Sequence, residues 1–309
     1  MRSESRYFSR CRPLLLGFIV DIWSTNAPLP LKPAARHREI VAGVKKFNTV
    51  VMNWRAQHWE PQSNYQAGGD AKPTGESNIV IARDFTSKAA RLDWDRTKVG
   101  GGGVNFKYGE IYADGVGIVD GANAGRVNRT AQSLNTNQHT MSGIRLATFL
   151  CEQQRSSPLL VLDMRSDPQA LTALPEQTVG GKKLRAVRYH VSRYTFTVMF
   201  DPASGLPARV RSLDTEPIRG DLNYDLVLAD WRPVNSVQFA HQLTWELDGK
   251  VIGKADVGKL VVNVAIPADR LYSRRQARLG DGPVESRARA AAQESQSAAP
   301  RTGEGSAQA

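Results

Sequence analysis

Alternation of apolar and polar residues in two-residue steps is the feature of this sequence that most limits its possible folds. It is clearest in YTFTVMF, residues 194–200, where large apolar side chains occupy every second position before a turn rich in Pro, Ser and Gly. A period of two is typical of a β-strand with one buried face. The same period recurs in NIVIARDF, ARLDWD, VNFKYGEIY, LNYDLVLADW and VQFAHQLTWEL. The sequence therefore predicts a mainly β protein.

The connections between these segments indicate how the strands pair. They are short, and Asp248-Gly249 is typical of a tight hairpin turn. Parallel neighbours would need long crossovers, so consecutive hairpins predict an antiparallel sheet. Its apolar face has to be covered by a second layer or by curling of the sheet.

One segment departs from the two-residue period. Apolar residues in 141–151 recur at a helical spacing, Thr140 or Ser142 is a candidate N-cap, and Pro158 ends the pattern. A second short helix is predicted before Pro168. We therefore predict an α+β fold, in which an antiparallel curved sheet forms a half-open β-barrel covered by one or two helices.

Composition divides the chain into three parts. Residues 1–44 are leader-like and irregular, residues 45–272 form the half-barrel with its helical insertion at about 140–170, and residues 273–309 are a low-complexity tail predicted to be disordered. Arginines before the apolar run 14–20 are typical of a secretory signal, which predicts a secreted or periplasmic protein. That run is too short to span a bilayer, so we predict no transmembrane helix.

The net charge of +11 does not indicate a nucleic-acid partner, because most of the excess positive charge lies near the N-terminus. The first 47 residues hold nine Lys and Arg against three acidic residues, whereas residues 48–272 hold 26 against 23. A nucleic-acid-binding domain would concentrate basic residues on one folded element or in a known motif. The sequence predicts no nucleic-acid partner.

No set of residues indicates catalysis. Zinc sites need three or four converging ligands, usually with two closely spaced on one element. The histidines are instead scattered singly, at His37, His58, His139, His190 and His241. Cys151, in the helical segment, is interpreted as a buried inert thiol, and the glycines of VGGGGVNF precede a strand rather than a phosphate-binding helix. We predict no catalytic residue, no metal and no cofactor.

Three segments carry a resemblance to a known family. HTMSGIRLATFLCEQQRSSPLLVLDM, YTFTVMFDPASGLPARVRSLDTE and GDLNYDLVLADWRPVNSVQFAHQLTWELDGKVI resemble the N-terminal non-catalytic domain of secreted bacterial metallo-β-lactamase-fold hydrolases, over about residues 45–270. That domain is similar to the half-barrels of periplasmic lipoprotein carriers, which hold acyl chains between a curved sheet and helices. The resemblance implies a secreted or periplasmic accessory domain that binds something apolar.

The chain departs from that family in one respect, because the zinc motif His-x-His-x-Asp-His of the hydrolase domain does not occur in it. Two hypotheses follow. In the first, the chain is a non-catalytic half-barrel that binds a lipid or another apolar small molecule. In the second, it is the truncated N-terminal part of a metallo-hydrolase, completed by a hydrolase domain in trans.

The candidate ligand-contacting residues come from the apolar faces of the strands and the helix. Most residues on such faces are ordinary core, and a cavity needs the half-barrel to be incompletely filled. His241 joins the set because it shares the parity of Phe239 and Trp245, although a hydrogen-bonded core histidine is the simpler interpretation. The full set is Tyr194, Phe196, Val198, Tyr224, Leu226, Phe239, His241, Trp245, Ile144 and Leu150.

Overall fold

The computed structural model describes residues 47–60, 71–99, 103, 105–121, 138–216, 220–235 and 237–272. The predictions for residues 1–44 and 273–309 lie outside these ranges. The strands are β1 (Thr49–Glu60), β2 (Lys72–Asp84), β3 (Ala89–Lys98), β4 (Asn105–Ala113), β5 (Val116–Gly121), β6 (His139–Thr140), β7 (Leu171–Val179), β8 (Lys182–Val191), β9 (Tyr194–Phe200), β10 (Pro207–Glu216), β11 (Gly220–Val234), β12 (Val237–Leu247) and β13 (Lys250–Val262). The helices are α1 (Gly143–Arg155), α2 (Leu160–Ser166), the 3₁₀ turn Pro168–Ala170, and α3 (Ala268–Leu271). No described helix is both long and apolar enough to cross a bilayer.

All thirteen strands belong to one sheet in the order β6-β5-β4-β3-β2-β1-β13-β12-β11-β10-β9-β8-β7. Every neighbouring pair is antiparallel. Strands adjacent in the sheet are consecutive in the chain except at the centre, where β1 pairs with β13 and Val50 lies opposite Val262. The predicted antiparallel curved sheet is confirmed.

The tight turn predicted between β12 and β13 is also present. Asp248 and Gly249 both have positive φ, at 51° and 79°. Two consecutive residues with positive φ are the backbone requirement of a type I′ hairpin turn, which Asp-Gly satisfies at low steric cost.

The helical segment joins the two edges of the sheet. β6 and β7 lie at opposite ends of the strand order, and the chain passes from one to the other through α1, α2 and the 3₁₀ turn. Ser142 is the N-cap of α1, since its side chain accepts a hydrogen bond from the backbone N–H of Arg145 at 3.3 Å. Helix α1 contacts widely separated strands, with Phe149 against Tyr112 of β4 and the backbone oxygen of Ala147 accepting from the hydroxyl of Tyr194 in β9. The predicted helical cover is therefore confirmed.

The main core lies on the concave face of the sheet, beneath these helices. Ile81, Phe196 and Leu226 have no exposed surface there, and Phe149 and Leu160 of the helices belong to the same core cluster. A smaller cluster on the other face surrounds Met199, whose parity is opposite to that of Phe196. The concave face is thus buried by helices rather than by a second sheet.

Candidate ligand-binding groove

An apolar groove lies where the junction of α1 and α2 meets the concave face of the sheet. Its volume is about 90 Å³. The sheet contributes side chains from β1, β11, β12 and β13, and the turn between β9 and β10 closes one side. Its apolar lining includes Trp54, Val161, Leu206, Trp231, Phe239 and Leu260.

Few polar groups line this groove. They are Arg155, Ser156 and Ser157 at the end of α1, and Gln238 of β12. Ligand sites of this kind combine a mostly apolar wall with a few polar groups that orient the ligand. The arrangement can therefore desolvate an apolar chain.

A second, larger and more polar cavity lies on the other side of the same helical junction. Its volume is about 660 Å³, and it is bounded by the β2–β3 turn, the β8–β9 turn and both helices. Tyr112, Tyr189 and Tyr194 lie in its wall together with Leu150 and Asp163. Ser157 lines both cavities, so the α1–α2 junction separates them.

The structure places the residues expected from the sequence in several different environments. Phe239 lines the apolar groove, whereas Leu150 and Tyr194 line the second cavity. The fully buried core contains Phe196, Val198 and Leu226. Tyr224 and Trp245 instead contact polar groups of α1, and His241 is 8% exposed with its Nδ1 donating to the backbone oxygen of Phe239 at 3.0 Å.

Ile144 needs a correction, because it is 84% exposed rather than directed at the sheet. The positions of α1 that pack against the core are Leu146, Phe149, Leu150 and Cys151. With 3.6 residues per turn, Ile144 lies about 160° around the helix from Leu146. Ile144 lies in the first turn of α1, on the side away from Leu146, and is exposed there.

Buried charged residues hold α1 against the sheet, and sequence reasoning missed them. Arg155 is 6% exposed, donates to the Ser212 hydroxyl at 2.9 Å, and its guanidinium lies 4.1 Å from the centre of the Tyr224 ring. Glu152 pairs with Arg155 at 3.2 Å and accepts from the Trp245 indole at 2.9 Å. Burial, followed by the nearby Glu152 carboxylate, raises the pKa of Tyr224. The spacing of Glu152 and Arg155 suits a surface helix pair equally well, so the sequence carried no signal of their contacts with the sheet.

Arg83 of β2 donates hydrogen bonds to oxygen atoms at the C-terminal end of α1. Its guanidinium donates to the Ser156 hydroxyl at 2.9 Å and to the backbone oxygen of Gln153 at 3.3 Å. Positive charge is favourable at a helix C-terminus, where backbone carbonyls lack helical partners. Burial lowers the pKa of Arg83 to about 10, a shift that the neighbouring Glu152 opposes. The junction beside the groove is therefore held to β2.

One described pair has the spacing of a general base and a nucleophile. His58 Nε2 lies 2.8 Å from the Ser77 hydroxyl, the contact expected of a base and a nucleophile, but Ser77 is only 2% exposed. Burial and the charge of Arg96 lower the pKa of His58 to about 4. No group of three or more His, Cys, Asp or Glu side chains positioned for a metal occurs in the described part of the chain. Burial also raises the pKa of Cys151, which makes its thiol a poor nucleophile.

No protein-family model and no curated protein matches the chain. Among solved structures, a LolA superfamily protein from Nitrosomonas europaea is similar at 7% identity, covering 78% of this chain and 98% of that chain with a TM-score of 0.43. The lipoprotein LppX of Mycobacterium tuberculosis is 12% identical, with 78% and 100% coverage and a TM-score of 0.29. A β-barrel-like protein of a domain of unknown function from Brucella abortus is 7% identical, with 71% and 99% coverage and a TM-score of 0.24. Because these scores are low, the function proposed below rests on the groove of this chain.

Proposed function

We propose that this protein binds an apolar chain in the groove and performs no catalysis of its own. The observation that carries the proposal is the groove itself, an apolar space beneath the helices that the side chains of the half-barrel leave unfilled. Apolar surface removed from water contributes about 25 cal/mol per Å². A chain that buries about 200 Å² would therefore gain about 5 kcal/mol, which suits reversible binding.

The size of the groove favours a single unbranched chain. A cavity needs about 10–15 Å³ of volume to hold one water molecule. The groove, at about 90 Å³, therefore holds a short row of groups of that size, such as the methylenes of one chain. A lipid with two or three acyl chains needs more room. We therefore propose that one acyl chain, or one arm of a larger lipid, enters the groove.

A fluorescent fatty acid tests this proposal directly. Titration of the protein with 11-(dansylamino)undecanoic acid should give a saturable, blue-shifted signal that unlabelled fatty acids displace. Ala240 lines the groove and is half-buried, so Ala240→Phe should fill the space and weaken binding at least tenfold. Ala229, an exposed alanine on the neighbouring strand β11, supplies the matched control, and Ala229→Phe should bind as the wild type does.

Two results would contradict groove binding. One is the absence of saturable binding by the wild type. The other is undiminished binding by Ala240→Phe with an unchanged thermal unfolding curve, which would place the ligand elsewhere.

We also propose, from the sequence resemblance, that the domain acts in the periplasm or outside the cell beside a metallo-β-lactamase-fold hydrolase domain. Reading all frames of the coding DNA beyond codon 272 tests this relationship, and a His-x-His-x-Asp-His motif is the expected finding. Frames without that motif would count against a hydrolase parent while leaving the groove proposal intact.

A further inference from the structure

A basic surface cavity lies where the end of β8, the start of β9 and the second half of β10 meet. Its volume is about 560 Å³. We call its lining side chains Arg188, His190, Arg193, Arg211 and Leu213 the arginine rim. Sheet register brings them together, because Thr197 of β9 pairs with both Arg188 and Arg211, and Thr195 pairs with His190.

The arginine rim carries uncompensated positive charge. Arg211 is neutralised by Asp225, whose carboxylate it contacts at 2.7 and 2.9 Å. Arg188 and Arg193 are exposed, and neither forms an ion pair with a carboxylate in the described ranges. Arg193 lies 5.8 Å from the centre of the Tyr194 ring, which holds its charge at the edge of the cavity. An anionic partner would therefore find two available guanidinium groups.

Two exposed aliphatic side chains accompany these arginines, one in the cavity wall and one on the helix that borders the cavity. Leu213 lines the cavity and is 68% exposed, and Ile144 is 84% exposed. Ile144 shares its helix face with Ala147 and Cys151, at spacings of three and seven residues. The backbone oxygen of Ala147 accepts from the Tyr194 hydroxyl at 3.0 Å, and Cys151 and Tyr194 both line the cavity, so α1 borders the arginine rim.

We propose that the arginine rim, with Ile144 and Leu213, docks the protein on an anionic lipid surface. Membrane-surface binding combines insertion of apolar side chains with attraction of Lys and Arg to acidic head groups, and both components are present here. A purely polyanionic partner would use the arginines but leave the two aliphatic side chains in water. The proposal goes beyond ligand binding in the groove and does not depend on it.

Vesicle sedimentation tests the docking surface. The protein should sediment with vesicles of phosphatidylglycerol and phosphatidylcholine in equal parts, bind poorly to pure phosphatidylcholine, and be released as NaCl rises. Each arginine near such a surface contributes about fivefold, so Arg188→Gln with Arg193→Gln should weaken binding about 25-fold. Leu213→Ser with Ile144→Ser should weaken it several-fold at every salt concentration.

The controls separate this surface from general charge and from the groove. Lys254 and Lys259 are exposed on β13, and Lys254→Gln with Lys259→Gln should change vesicle binding less than twofold. Ala240→Phe should sediment like the wild type, since it alters only the groove. Equal binding to both vesicle types, an equal loss in the lysine variant, or full binding by the double arginine variant would overturn the proposal. Binding to soluble polyglutamate without binding to acidic vesicles would overturn it in favour of a protein partner.

Discussion

At the scale of single residues, Asp225 is the most buried charged side chain in the described part of the chain. It is 1% exposed and contacts Arg209 at 2.5 Å and Arg211 at 2.7 Å. Arg209 also reaches Glu246 at 2.7 Å, so the network ties β10, β11 and β12 together. Removing one partner of a buried pair leaves the other charge uncompensated in a poorly solvated position.

Asp225→Asn should therefore lower the free energy of unfolding by about 3 kcal/mol, as measured by urea denaturation at pH 7. Asp230→Asn is the matched control, because Asp230 also binds an arginine through both oxygens, at 2.9 and 2.5 Å to Arg232, but is exposed. Solvent screens such a pair, so the control should unfold at the wild-type urea midpoint. Equal destabilisation by the two substitutions would show that burial is not what gives Asp225 its importance.

At the scale of elements, side chains that lie outside α1 form hydrogen bonds with groups at both of its ends. Ser142 caps the first turn, and Arg83 and Ser156 satisfy the last one. The helix carries no acidic residue in its first turn that could replace the cap. The position of the helix over the concave face depends on these contacts as well as on Phe149.

Ser142→Ala should lower the free energy of unfolding by about 1 kcal/mol, the usual loss for an N-cap, and Ser142→Gly by only a few tenths. Thr140→Ala supplies the control, because Thr140 is exposed in β6 and precedes the cap. Thermal and urea unfolding of the three variants measure the difference. A larger effect at Thr140 than at Ser142 would contradict the assignment of the cap.

At the scale of the whole molecule, the two ends of the described chain meet at the centre of the sheet. β1 and β13 occupy adjacent central places in the strand order, so each has a hydrogen-bonded strand on both sides. β6 and β7 are edges with one neighbour each, and β7 contains a register shift between Leu174 and Gln177. Local opening is easiest where few hydrogen bonds and buried contacts hold the backbone.

Hydrogen exchange followed by mass spectrometry should therefore show the slowest exchange in β1 and β13 and the fastest strand exchange in the edge strands β6 and β7. Exchange in β12 should resemble that in β13, since both are central and strongly paired. Amides of β7 that exchange as slowly as those of β1 would show that another element covers this edge. Protection of β7 alone, appearing on addition of vesicles, would locate a contact there.

Much of the architecture was predictable because strand periodicity is local. The alternation in β9 and β12 predicted which face is buried, and Asp248-Gly249 predicted the turn that follows β12. Ser142 and Pro158 predicted the limits of α1 within a few residues. Each of these signals extends over fewer than about a dozen neighbouring residues, so it can be recognised from the sequence alone.

The site was less predictable, because a cavity is a property of packing between distant elements. Phe239 and Phe196 carry the same pattern in sequence, yet Phe239 lines the groove and Phe196 is sealed in the core. Ile144 matched the helical pattern but faces solvent, and the buried arginines Arg83 and Arg155 gave no local sign of their roles.

By itself, the sequence determined that the chain forms antiparallel strands with one apolar face and that a capped helix follows β6. The tertiary structure alone decided that β1 closes on β13, that the helices bridge the two edges, and that a gap remains beneath their junction. The reason is physical. Backbone propensity and hydrophobic alternation are set by neighbouring residues, whereas the volume left between a curled sheet and its covering helices depends on contacts between residues up to about 200 positions apart.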